Sequence, residues 1–337
     1  MSVTATAPDL TSPRAPGRTA RRTLPPTVAF IGAALAFAAL YLAAGAPTPL
    51  LVVFERQWGF PASVLTIAFA AYSLGLLAAL LVVGSLSDHL GLGALLTGAA
   101  VQFTAAANLI VFTALAVIMA LGTAVTVLSA ETVTPRPGAV RALVPQVTVP
   151  RAARREFAAA VPVHVGSWML AGLFMGLVPT IIRDIFGIDS GLLNGATAFL
   201  EPAAAAVAGF FLGRLTPRST TQVGGATVLA GTAIIVAGVA LGVMPLLWVG
   251  GIVGGVGFGA SFSGALRTIT PLAAPHQRAG LFAAVFLVAY LAFGIPAIVA
   301  GLLVGVVGLL NTVLGYSVAI IAAAAVGLLA QHRVAAR

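Results

Sequence analysis

The stretch Gly84-Ser85-Leu86-Ser87-Asp88-His89-Leu90-Gly91 is a short polar break between two long apolar runs. The run before it, from Pro61 to Val83, has no charged residue, and neither do the forty residues from Leu90 to Ser129. A helix needs about 20 apolar residues to cross a hydrocarbon core of ~30 Å. The runs on both sides of the break are therefore predicted to be membrane-spanning helices.

The composition of the whole chain agrees with this prediction. Of 337 residues, 60% are hydrophobic and 7% are charged, with a mean hydropathy of +1.10, whereas a soluble domain carries about 25% charged residues. The runs lack the alternation of barrel strands, and only a helix pairs all its own backbone groups in lipid. The predicted fold class is all-α: a polytopic, multi-pass membrane helix bundle of about ten spans in the cell (inner or plasma) membrane.

The arginines set the predicted orientation. The chain has a formal net charge of +9, from 17 arginines against eight acidic residues, and no lysine or cysteine. The arginines cluster in alternate loops, which is typical of membrane topology rather than of nucleic-acid binding. In a ten-span topology 15 of them lie on the cytoplasmic side, and only Arg56 and Arg183 lie outside. Both termini are therefore predicted to be cytoplasmic.

The predicted organisation has four parts. Residues 1–24 form a disordered cytoplasmic tail, residues 25–129 a first block of about four spans, residues 130–156 a basic cytoplasmic linker, and residues 157–337 a block of six spans. The first block is predicted to divide near Thr104 to Ala107, which leaves an outward segment of only about 15 residues, or ~22 Å. The last six spans are predicted at 157–182, 190–213, 219–243, 246–270, 279–304 and 309–330.

Three stretches resemble one transporter family: GSLSDHLG at 84–91, AETVTPRPG at 130–138 and RAGLFAAVFLVAYLAFGIPAIVAG at 278–301. In this order they are similar to the major facilitator superfamily of secondary transporters. The resemblance implies twelve spans in two halves, each half built of inverted repeats. Here residues 91–103 resemble the later part of a fifth span, so the third and fourth spans are predicted to be missing.

The polar break itself is interpreted as a conformational latch through the resemblance. Gly84 and Gly91 permit a tight turn, and the carboxylate of Asp88 can cap a helix N-terminus. Arg214 lies in the equivalent cytoplasmic turn of the later block and is included in the latch. The alternative is a plain solvated turn. His89 departs from the family pattern, which has arginine at this position.

Glu201 is the most unusual residue by position. It lies about eleven residues into a predicted span of 24, near the bilayer midplane. An ionised carboxylate there is penalised by about 2.5 kcal/mol or more, so it should face the bundle interior, pair, or bind a proton. Such a group suits proton coupling or cation recognition. The alternative is a neutral, hydrogen-bonded carboxyl with a structural role.

His164 and Trp168 are further transport candidates, since their i, i+4 spacing places them on one helical face. They can bind an organic cation or relay a proton; the alternative is a histidine that only packs. Tyr41 is also a candidate, and further polar residues are Tyr72, Asn108, Asn194, Tyr290 and Asn311. The glycine-rich Gly255 to Ala260 lies inside an apolar span, so a nucleotide site is rejected. No metal-ligand or catalytic-triad pattern stands out.

The predicted function is secondary active transport rather than catalysis. The chain is expected to export a small drug-like, cationic or sugar-like solute in exchange for protons, with the proton gradient as driving force and no cofactor. Its partners are the solute and the lipid bilayer, without nucleic acid, and a monomer is expected. The alternative is an internally deleted remnant that inserts but does not transport, acting at most as a membrane interaction partner.

Overall fold

A computed structural model describes residues 92–128 and 146–335, together with Gln57 and Gly59. This part of the chain is 89% helical and has no strand, which confirms the all-helical class for it. Its helices are α1 (Leu92–Phe103), α2 (Ala107–Leu128), α3 (Arg154–Gly176), α4 (Val178–Asp184), α5 (Gly191–Phe211), α6 (Pro217–Leu241), α7 (Met244–Ile269), α8 (Arg278–Val307) and α9 (Leu309–Ala335). The predictions for Tyr41, Gly84, Asp88 and Gly91 lie outside the described residues.

Six of the described helices are long and apolar enough to cross a bilayer. With their adjoining 3-10 turns they occupy Arg151–Gly176, Gly191–Arg214, Pro217–Leu241, Met244–Leu272, Pro275–Val307 and Leu309–Val334. The six spans predicted after the linker are thus confirmed as apolar helices, and the described chain is a membrane helix bundle. Ten spans for the whole chain remain a prediction.

The first of these six helices differs from its predicted range of 157–182. It begins with a turn at Arg151, inside the predicted linker, and ends at Gly176. Pro179 has no backbone N–H to bond one turn back, so the helix breaks at Leu177. The short helix α4, with Pro179 in its first turn, completes the predicted stretch and is buried from Val178 to Ile182.

The break predicted near residues 104–107 is present. Helix α1 ends at Phe103 and α2 begins at Ala107, while the hydroxyl of Thr104 accepts a hydrogen bond of 3.1 Å from the backbone N–H of Ala106. Helix α1 starts at the first described residue of this region, so the short outward segment stays a prediction. In the described chain α2 packs on α1, and α1 packs on α5.

Helix α7 packs closely against α6 because small residues line the contact between them. These are Gly250, Gly254, Gly257, Ser261 and Gly264 on α7, facing Gly224, Gly231 and Gly238 on α6. Alternating spacings of three and four are typical of helices that pack along a left-handed seam. A Cβ added at Gly231 would lie 2.6 Å from the Cα of Gly254 and 2.7 Å from the carbonyl oxygen of Gly250. The two backbones are therefore in contact.

The contacts among the six long helices follow a pattern of two three-helix units. The first unit is α3, α5 and α6, and the second is α7, α8 and α9. The third helix of each packs on the first helix of the other, as α6–α7 and α9–α3. The second helix of each also packs on the first of the other, as α5–α7 and α8–α3, while α3–α7 and α6–α9 join equivalent helices. Because each unit has an odd number of spans, the second enters the membrane from the opposite side.

One end of this bundle is strongly basic. Successive helices run in opposite directions, so the N-terminus of α3 and the C-terminus of α5 share an end with the start of α6 and α8. Eight of the nine described arginines lie there: Arg151, Arg154, Arg155, Arg214, Arg218, Arg267, Arg278 and Arg333. Arg183, in α4 at the other end, pairs with Asp184 at 2.6 Å. Arginines at one end of the bundle are the distribution on which the predicted orientation depends.

The close contact of α6 and α7 predicts that substitution by alanine changes the stability differently at two glycines. Gly231→Ala should lower the free energy of unfolding by about 1–3 kcal/mol, because its Cβ meets backbone that has to move. The measurement is reversible unfolding of the purified protein in detergent, followed by circular dichroism.

Gly315→Ala is the matched control, since no atom lies within 4 Å of a Cβ added at Gly315 in α9. Its stability should be unchanged or raised by up to about 1 kcal/mol, because alanine favours helix. Equal losses at the two positions would contradict the close approach of α6 and α7.

Candidate functional site

Glu201 occupies the middle of α5, as predicted, at the eleventh of 21 positions. The residue is only 3% exposed. Within the described part of the chain its Oε1 atom has no hydrogen-bond partner. A buried polar atom without a partner lowers stability. A role in proton coupling or cation recognition and a neutral, hydrogen-bonded structural carboxyl both stay hypotheses.

The backbone around Glu201 is close to α7. The carbonyl oxygen of Glu201 lies where a Cβ would be at Gly255, and that of Ala205 lies where a Cβ would be at Gly259. Glycine at these two positions lets α5 approach. Pro202 removes the N–H that would pair with the Ala198 carbonyl one turn earlier, so the helix has a freed acceptor beside the carboxylate.

A stripe of polar side chains extends from Glu201 toward the N-terminal end of α5. Asn194 and Thr197 are buried and fall at i, i+3 and i+7 with Glu201, on one helical face. The Thr197 hydroxyl donates to the Leu193 carbonyl at 2.7 Å and accepts from the indole Nε1 of Trp248 at 2.9 Å. The side-chain oxygen of Asn194 is buried without a partner among the described residues. The stripe thus presents two unpaired acceptors.

His164 and Trp168 are in contact, as their spacing predicts, with ring centroids 6.0 Å apart. They belong to an aromatic cluster of seven rings drawn from three helices: His164 and Trp168 on α3, Phe258 and Phe262 on α7, and Phe286, Tyr290 and Phe293 on α8. Trp168 lies at the centre of this aromatic cluster, 5.2 Å from Phe258 and 5.3 Å from Tyr290. Phe258 and Phe262 are only partly buried, so part of their surface remains accessible.

The His164 ring packs against a neighbouring ring, but the hydrogen-bonding capacity of its nitrogens is not satisfied among the described residues. It stacks on Phe262 at 5.7 Å with an interplanar angle of 16°. Neither ring nitrogen has a partner within hydrogen-bond geometry among the described residues, although the Val285 carbonyl approaches the ring. A small cavity beside the ring is lined by Phe157, Phe262 and Val285, with space for about one water molecule.

Helix α7 fixes the level of the carboxylate relative to the aromatic cluster. Gly255 contacts Glu201 on α5, and Phe258 contacts Trp168 on α3. These two α7 positions are three residues apart, which is a rise of about 4.5 Å and a rotation of about 60° around the helix. Glu201 and Trp168 therefore lie at nearly the same membrane depth, on adjoining sides of α7.

Arg214 lies elsewhere, exposed in the 3-10 turn Leu212–Arg214 at the basic end. Two neighbours tie this turn to the bundle. Arg267 on α7 donates to the Leu215 carbonyl at 3.0 Å, and Arg218 forms an ion pair of 2.8 Å with Glu156 on α3. The structure does not bring Arg214 together with Glu201, His164 or Trp168.

Several residues of the site are not predicted from the sequence. Thr197, Trp248, Phe258 and Phe262 join it through helix packing. A signal for two of them is present, because Phe258 and Phe262 share the i, i+4 spacing of His164 and Trp168. Within residues 92–128 and 146–335, no group of three or more His, Cys, Asp or Glu residues is placed to hold a metal ion.

The Thr197–Trp248 hydrogen bond predicts non-additive stability changes. Thr197→Val alone should lower the free energy of unfolding by about 1 kcal/mol, because it leaves the partly buried indole N–H of Trp248 without its partner. Adding Trp248→Phe removes that unpaired donor, so the double variant should lose less than the two single losses combined. The coupling energy is obtained from unfolding in mixed detergent without guanidinium, measured for the wild type, the two single variants and the double variant. A sum that is simply additive would show that the bond contributes nothing.

The unpaired nitrogens of His164 predict that phenylalanine at this position does not lower the thermal stability. His164→Phe should leave the thermal midpoint unchanged or raise it, since it removes two unsatisfied polar atoms and the adjacent cavity accepts the larger ring. His164→Ala, which leaves a hole against Phe262, should lower it. The readout is tryptophan fluorescence during heating in detergent. A large loss for His164→Phe would mean that the nitrogens have partners that stabilise the fold.

Comparison with known proteins leaves the family undetermined. No protein-family model matches the chain, and no curated protein matches it. The likeness to the major facilitator superfamily therefore rests on the three sequence stretches. The described residues form a membrane helix bundle whose most distinctive chemical feature is the buried carboxyl of Glu201, with an Oε1 atom that has no hydrogen-bond partner among those residues.

Proposed function

We propose that the protein is a secondary active transporter of the major facilitator type, which exports a small solute across the cell membrane in exchange for protons. The observation that carries this proposal is Glu201. A carboxylate in the middle of an apolar helix, 3% exposed and with an unpaired oxygen, is costly to the fold. A group that binds and releases a proton or a cation during each cycle gives that cost a function.

The two three-helix units also support the proposal. Transporters of this type are built from inverted repeats and bind their substrate near the midplane at the repeat interface. Glu201 lies on the second helix of the first unit, against the first helix of the second unit. The second and third helices of each unit pack on the first helix of the other unit, and inverted repeats produce contacts of this kind. This position on the interface between the two units supports a role for the carboxylate in coupling ion and solute.

A remnant that inserts without transporting is the second candidate, and one observation favours it. In the described chain the first block reaches the six-helix bundle through the contact of α1 with α5, while α2 packs on α1. Leu109, Ile110 and Leu121 on α2 are exposed. A first block with missing spans would give the solute pathway one incomplete wall, which predicts insertion and folding without solute movement.

Replacing Glu201 tests the transport proposal. Glu201→Gln keeps the size of the side chain and removes its titration, so proton-coupled solute movement should fall to the background level. The full chain is reconstituted in liposomes, a pH difference is imposed, and proton flux is followed with an entrapped dye while candidate solutes are added. Each solute is added to wild type and variant in parallel.

Glu156→Gln is the matched control, because it makes the same chemical change in an ion pair at the basic end of the bundle. It should keep proton-coupled flux. Equal flux in wild type and Glu201→Gln would remove Glu201 from the mechanism. A folded wild type that moves no proton with any solute, beside an active version with two spans restored after Gly91, would favour the remnant.

A further inference from the structure

A short extended segment ahead of α3 crosses the basic end of the bundle. This segment, the strap, consists of residues 146–150 and leads into the turn at Arg151–Ala153. The backbone N–H of Thr148 donates to the carbonyl oxygen of Gly280, in the first turn of α8, at 3.1 Å. The Val149 carbonyl accepts a hydrogen bond of 3.3 Å from Nε of Arg154, the first residue of α3. The strap is thus held at the start of both helices.

Gly280 admits the strap because it has no side chain. A Cβ added at this position would meet the hydroxyl of Thr148, and it would lie 3.2 Å from the carbonyl oxygen of Gln146 and 3.4 Å from Cβ of Thr148. Gly280 is buried, although it lies in the first turn of its helix at the end of the bundle. The strap and the start of α8 are therefore in close contact.

Val149 completes an apolar layer beneath the strap. It packs on a cluster whose buried members come from the end of α7, the turn after it and the start of α8: Ile269, Ala273, Leu281 and Val285. Phe157 of α3 belongs to the same cluster, and Phe157, Ile269 and Val285 also line the water-sized cavity beside His164. On α3, Phe157 comes two turns, or about 10 Å, before His164. The layer therefore lies between the basic end and the histidine ring.

The closed layer and the histidine oppose each other energetically. His164 is 5% exposed, and neither ring nitrogen has a hydrogen-bond partner among the described residues. Water that entered the cavity would supply those partners, because buried polar groups without partners lower stability. Packing of Val149 and the hydrogen bond of Thr148 favour the docked strap instead. A docked state with a closed cavity and a lifted state with a hydrated ring are the two conformations that this balance relates.

We infer that the strap is a gate that controls the access of water from the basic end of the bundle to His164. While Thr148 is bonded to Gly280, Val149 closes the outer side of the apolar layer. When Thr148 leaves Gly280, that side opens and water reaches the ring nitrogens. The gate consists of the strap, the apolar layer and the cavity, so it requires neither Glu201 nor solute.

Labelling with diethyl pyrocarbonate measures the access of solvent to His164. The full-length protein in lipid nanodiscs is labelled, and each site is quantified by mass spectrometry. His276 and His332 are exposed and serve as internal references. In the wild type His164 should react much more slowly than both. Gly280→Ala should raise the rate at His164 roughly fivefold or more, because the added Cβ displaces the Thr148 hydroxyl and weakens the docked state.

Two further variants separate release of the strap from a general loosening of α8. Gly305→Ala makes the same change in the same helix, where no atom lies within 4 Å of the added Cβ, and should label as the wild type does. Thr148→Ala removes the hydroxyl that the new Cβ would meet. The double variant Thr148→Ala/Gly280→Ala should therefore return toward the wild-type rate.

The absence of cysteine from the sequence allows the strap to be locked by a disulfide. The Cβ positions of residues 148 and 280 would be 3.4 Å apart, near the ~3.5–4.5 Å of disulfides. Thr148→Cys/Gly280→Cys should therefore oxidise readily. Val147→Cys/Gly280→Cys is the control and should oxidise little, because successive side chains of an extended segment point to opposite sides. In the locked protein His164 should react no faster than in the wild type, and reduction before labelling should raise its rate.

Val149→Ser gives the same test within the strap if Gly280→Ala fails to fold, since it opens the apolar layer without changing a helix. It should also raise the rate at His164. Four outcomes would overturn the inference: fast labelling of His164 in the wild type, equal rates in folded Gly280→Ala or Val149→Ser and the wild type, no return of the rate with Thr148→Ala, or equal rates in the oxidised and reduced protein.

Discussion

The close contact of α6 and α7 is the constraint on which the rest of the described structure depends. Glycine at positions such as Gly231 and Gly254 brings the two backbones together. In a membrane, lipid tails are as apolar as leucine, so helices associate through close packing rather than through exclusion of water. A seam of small residues is therefore the physical source of stability here, and it fixes the rotation of α7 about its own axis.

That rotation determines what the other faces of α7 present. One face admits α3, where Gly254 receives the side chain of Leu170 and Ser261 forms a buried hydroxyl pair of 2.8 Å with Ser167. Another face receives the α5 backbone at Glu201. Between these faces Phe258 projects toward Trp168. The arrangement of the candidate site thus depends on the seam, because another rotation of α7 would turn Gly255 away from the α5 backbone at Glu201 and Phe258 away from Trp168.

Particular residues show where prediction from the sequence succeeds. The central position of Glu201, the contact of His164 with Trp168 and the break after Phe103 all follow from local spacing, and the structure has each of them. The end of α3 does not follow from hydropathy, since 157–182 is apolar throughout and the break at Leu177 depends on Pro179. Thr197 and Trp248 are 51 residues apart, and no local pattern relates them.

The sequence by itself determined the apolar helices, the basic loops between them and the central position of Glu201 in its helix, because these depend on composition and on the 3.6-residue helical period. Only the tertiary structure decided which helices touch, that Phe258 and Phe262 pack against Trp168 and His164, and that Glu201 and Asn194 each have a buried oxygen without a partner among the described residues. The physical reason is that these features depend on contacts between distant segments. Those contacts are selected by the shapes of packed helices, which hydropathy and spacing along one helix do not contain.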